Sequence, residues 1–120
     1  MVVTPVPARD ADVAVLRTQG RAALATLPRY EGFTTVSRRL ADAGTDFQEI
    51  AGNDGEIVVS LIGPLDWTAP APSRVLFVQP VITQPGRRRT VLALPIASLG
   101  ALLREADRRP ALQVEHVYDF

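Results

Sequence analysis

The sequence predicts an α+β domain: a mixed, mostly antiparallel five-stranded sheet with helices packed on one face, in the order α-α-β-β-β-β-α-β. Three observations carry that prediction. Residues 75–94 hold two apolar runs joined by Gln84-Pro85-Gly86-Arg87, the pattern of a β-hairpin. Segments 11–26 and 96–107 repeat their apolar residues at helical spacing. A strand–helix–strand unit ends the chain, which sets the last strand parallel to its predecessor or to a strand near it. At 120 residues the whole chain, 1–120, is expected to form a single domain around one hydrophobic core.

Residues 1–8 carry two prolines and read as an extended arm. Asp10 is a suitable N-cap for a helix over 11–26, with Val13, Leu16, Gly20, Ala23, Leu24 and Leu27 on one stripe and Pro28 as its stop. Gly20 inside that stripe costs about 1 kcal/mol against Ala, which close packing would offset. In 33–44, Phe33, Val36, Leu40 and Ala43 fit a helix capped by Thr34 or Thr35 and closed by Gly44. The Thr-Thr-Val run would also suit a strand, and the helix is the favoured reading.

Residues 46–51 and 56–62 read as a hairpin turned by Asn53-Asp54-Gly55, with Phe47, Glu49 and Ala51 sharing a face with Ile57, Val59 and Leu61. A proline-rich connection, 63–73, leads to the central hairpin. There, Phe77, Gln79 and Val81 share one face with Thr90, Leu92 and Leu94, and Val78, Pro80 and Ile82 share the other with Val91 and Ala93. Pro95 opens the final helix, whose stripe is Ile96, Leu99, Leu103 and Ala106, with Arg104, Arg108 and Arg109 toward its C-terminal end. Pro110 stops it, and 112–120 form a last strand. No internal repeat is visible.

A sheet wet on one side alternates apolar and polar residues, whereas the central hairpin is greasy on both faces. The helices suffice to cover one face. The expected second cover is a partner subunit or a ligand cavity.

Composition excludes more than it assigns. Thirteen basic and thirteen acidic residues balance, which argues against nucleic acid or an anionic membrane as partner. Every basic residue is Arg, so neither lysine Schiff-base chemistry nor a P-loop is available. With no Cys and one His, no thiolate or His-rich metal site is expected, and no cofactor is implied. The first residues lack a signal-peptide pattern, and no run reaches the roughly 18 apolar residues of a membrane span. A cytoplasmic protein is the expectation.

Four places could carry chemistry. On the last strand, alternation sets His116 on one face with Leu112, Val114, Tyr118 and Phe120, and Gln113, Glu115, Val117 and Asp119 on the other. His116 is then a general base beside Tyr118, or a structural histidine. Glu49 interrupts an apolar face, either to orient His116 or to guard a sheet edge. Arg87, Arg88 and Arg89 form an anion clamp or a solvated hairpin tip. Trp67 is a lid or interface anchor, or it tacks the connection to the core.

The tail, 102–107 followed by 112–120, resembles the final helix and strand of ACT-type regulatory domains over about a fifth of the chain. The two N-terminal helices and four consecutive strands depart from the ACT order, and no glycine-bearing ligand loop can be matched, so no residue role is carried over. The expected function is a non-catalytic binding or regulatory module that dimerises through an apolar sheet face, with itself or another protein as partner. The alternative is a small-molecule-binding protein or enzyme with a pocket around His116 and Tyr118.

Overall fold

In the computed structural model, which describes residues 1–119, the chain consists of two units of one β-β-β-α-β topology. The first contains β1 (Val2–Thr4), β2 (Ala14–Gln19), β3 (Ala22–Thr26), α1 (Glu31–Asp42) and β4 (Asp46–Glu49). The second contains β5 (Glu56–Pro64), β6 (Arg74–Pro80), β7 (Arg87–Pro95), a 3-10 turn at Ile96–Ser98, α2 (Leu99–Arg108) and β8 (Gln113–Tyr118). Each unit forms a four-stranded antiparallel sheet, ordered β2-β3-β1-β4 and β6-β7-β5-β8. The α+β class stands, but two sheets replace the expected single mixed one, and the element order differs.

The irregularities repeat as well. Leu16 is an extra residue in β2, between the pairs Val15–Ala25 and Arg17–Leu24. Leu76 is its counterpart in β6, between Val75–Leu92 and Phe77–Val91. Gln48 bulges between Val2–Glu49 and Val3–Phe47. Glu115 does so between Ser60–His116 and Leu61–Val114. The matching residues include Val15-Leu16 with Val75-Leu76, Gln19 with Gln79, and Leu27-Pro28 with Leu94-Pro95. Too few identities survive for the repeat to show in the sequence.

The expected helix over 11–26 is instead the β2–β3 hairpin. Gly20, at φ +60°, takes the first position of its two-residue turn, where a positive φ favours glycine. The apparent stripe is not buried as a unit, since Leu16 is 63% and Leu24 40% exposed while Ala23 and Ala25, which alternate with Leu24 along the strand, lie inside. Pairing with β1 overrides the helical spacing. α1 forms where the favoured reading placed a helix, yet Thr34 is no cap: its buried hydroxyl accepts the Val117 N–H at 2.9 Å. The expected hairpin of 46–51 with 56–62 is absent. β4 pairs with β1, β5 pairs with β7 and β8, and a tight Ile50–Asn53 turn carries the chain between sheets.

The two units share one continuous core that includes Val3, Phe33, Phe47, Leu61, Leu92 and Leu103. The helices pack on each other, α1 reaching β8 and α2 reaching β4, so each helix covers part of the other unit's sheet. Arg104 of α2 secures the joint. It donates to the carbonyls of Ala41 and Thr45 at 3.1 and 3.2 Å, and to the Asp46 carboxylate at 2.7 Å. Gly100 admits this approach, because a Cβ there would stand 2.9 Å from the Thr45 carbonyl oxygen.

Candidate functional site

The second sheet has two differently furnished faces. Ile57, Val59, Leu61, Leu92, Leu94, Val114 and Val117 belong to the core. Val58, Ser60 and Ile62 of β5 pair with Ala93, Val91 and Arg89 of β7 on the opposite, outer face. Phe77 and Gln79 of β6 join them there, opposite Val91 and Arg89. The expected face assignment of Phe77 and Gln79 is thereby reversed, because the loop over 81–86 is longer than the expected turn and sets Phe77 opposite Val91. β7 is buried on both faces, but β6 is exposed along its whole length.

The Glu115 bulge breaks the alternation expected of the last strand. Val114 and Val117 turn inward, and Glu115, His116 and Tyr118 collect on the outer face, while Phe120 lies outside the described residues. Glu115 accepts two hydrogen bonds from Arg89, Nε and Nη2 each at 2.6 Å, and one from the Ser60 hydroxyl at 2.5 Å. Arg89 Nη1 donates onward to Gln79 at 3.1 Å. A polar row thus crosses all four strands: Gln79, Arg89, Ser60 and Glu115. The Arg89 hydrogen bonds hold the Glu115 carboxyl below its ordinary range, against the opposing effect of burial.

His116 is half-buried beside this row, its ring edge-to-face with Tyr118 at 4.5 Å between centroids. No described residue hydrogen-bonds to its ring nitrogens. The expected partner Glu49 lies on the other sheet, in the edge strand β4 opposite Val2. His116 and Tyr118 line neither the cavity of about 240 Å³ near Met1, Phe33 and Ile50 nor that of about 140 Å³ near Pro70, Leu94 and Leu102.

The three arginines do not converge. Arg87 donates to the Ile62 carbonyl and Arg88 to that of Trp67, while Arg89 is committed to Glu115. Their side chains alternate across the strand, which separates neighbours that look like a cluster in sequence. Trp67 is buried in the core at 8% exposure and anchors the connection. Ser60, Gln79 and Glu115 are site residues that sequence reasoning did not single out. A bulge leaves no periodic signal, and Ser60 sits inside an otherwise apolar strand.

No family model, curated protein or solved structure matches the chain. The duplicated unit supplies an internal reference instead. At the positions of Ser60, Arg89, Glu115 and His116 the first unit carries Val2, Ala22, Gln48 and Glu49. The topology therefore forms without the polar row, so its presence in unit two is not a requirement of the fold.

Proposed function

We propose that the chain is a non-catalytic binding module that acts as a homodimer, with the second unit as its working half. The observation that carries this reading is β6. Val75, Leu76, Phe77 and Val78 are between 42% and 50% exposed on a strand at the edge of its sheet. Contiguous apolar residues on an open strand edge make an association surface. The uncovered surface is an edge, whereas the hairpin pattern led to the expectation of a sheet face. Recognition here is by contact, with Phe77 for apolar burial beside the satisfied polar row. Native mass spectrometry of the purified protein tests the reading. A species near twice 13.0 kDa is expected, and a monomer at every concentration overturns it.

A second reading, a small-molecule site at His116 and Tyr118, is favoured by one observation. The ring nitrogens of His116 have no described partner, and the first unit carries Glu49 and Ala51 at these two positions. Under this reading a ligand lies against the half-buried Tyr118 on the outer face and hydrogen-bonds to His116. A His116→Ala protein that retains any bound mass seen in the wild type removes it.

A further inference from the structure

We propose that β6 pairs antiparallel with β6 of a second copy, about a two-fold axis at Phe77. The inference rests on the homodimer reading and specifies its contact. No ionisable side chain lies between Val75 and Gln79, and Arg74 is held by Glu56 at 2.9 Å. Centred on Phe77, the register sets Leu76 opposite Val78, Val75 opposite Gln79, and Arg74 opposite Pro80 of the second copy. The two Arg74 residues then stand about 20 Å apart at the two ends of the ladder, so like charges do not meet. Pro80, without an N–H, ends the pairing.

The equivalent edge in unit one supports the choice. β2 has the same leucine bulge, so the bulge does not distinguish the two edges. At the positions of Phe77 and Val78, however, β2 carries Arg17 and Thr18. A charge in mid-strand keeps an edge from pairing. The chain therefore guards one edge and leaves its duplicate open. Pairing β6 with itself closes that edge, because a two-fold contact uses the same patch on both copies.

The chain has no cysteine, so a single introduced thiol reports the contact. Phe77→Cys and Arg17→Cys are oxidised with diamide, and disulfide-linked dimer is read by intact mass. Directly opposed antiparallel residues bring their Cβ atoms close enough for a disulfide. Phe77→Cys is expected to couple at least about tenfold faster than Arg17→Cys. Equal rates overturn the pairing. So does a dimer that persists in folded Phe77→Lys or Val78→Lys, and in that case the homodimer reading survives with another interface. A monomeric wild type overturns both.

Discussion

The two units build the same sheet order with the same bulges, yet they spend their residues differently. Unit one is thin. β1 and β4 contribute Val3 and Phe47 to the core, and β3 offers the small residues Ala23 and Ala25. Unit two places Ile57, Val59, Leu61, Leu92 and Leu94 inside, and it adds the cross-strand row from Gln79 to Glu115 on its outer face. One topology thus tolerates both a minimal strand set and a heavily furnished one. The pairing pattern is the shared requirement, and the side chains placed on it are free to diverge.

The largest test of that contrast is in the core. Leu92 and Ala25 occupy equivalent positions, opposite Val75 and Val15. Leu92→Ala is expected to cost about 3 kcal/mol, as a fully buried leucine truncation does. Ala25→Gly should cost about 1 kcal/mol, as a glycine in a strand interior does. Urea denaturation measures both, and equal losses would break the contrast.

The joint between units comes next. Arg104→Met leaves two carbonyls and a carboxylate of unit one without their donor. A loss of about 2 kcal/mol is expected by the same measurement. A neutral result would mean that the shared core alone holds the units together.

The smallest effects are in pH dependence, where the two units again differ. Glu115 titrates below its ordinary range because Arg89 and Ser60 hydrogen-bond its charged form. Its contribution is present at neutral pH and is lost as pH falls through the carboxylate range. Asp42, the last residue of α1, behaves oppositely. Its hydrogen bond to Asp107, together with burial, raises its pKa to about 6. That contribution is full in acid, where both folded and unfolded chains are protonated, and is lost as pH rises through about 6. Thermal melts across this range should show Glu115→Gln flattening the acid limb and Asp42→Asn flattening the limb near neutrality. Identical profiles for the two variants would remove the distinction.

Much of unit two was legible in sequence, and little of unit one. The β6–β7 hairpin, α2 and the buried leucines follow from apolar runs bounded by Pro and Gly. Residues 11–26 misled because Val13, Leu16, Gly20, Ala23, Leu24 and Leu27 happen to fit a helical period. Short strands with small side chains leave no competing signal. The β4–β1 pairing joins segments far apart in sequence, so Asn53-Asp54-Gly55 suggested a local hairpin where the chain changes sheets. At the site, His116 and Tyr118 were visible as residue types. Their neighbour Glu115 was not, because strict alternation assigns it to the opposite face and only the bulge turns it toward them.

The exchange of helix cover between units has a further consequence. Each sheet depends partly on a helix encoded in the other half of the chain, and the Ile50–Asn53 turn is the covalent bridge between them. Severed at that turn, the protein would become two fragments, each with an apolar surface that only the other fits. The single polypeptide thus acts as an obligate heterodimer with its partners tethered, and it should melt in one cooperative step.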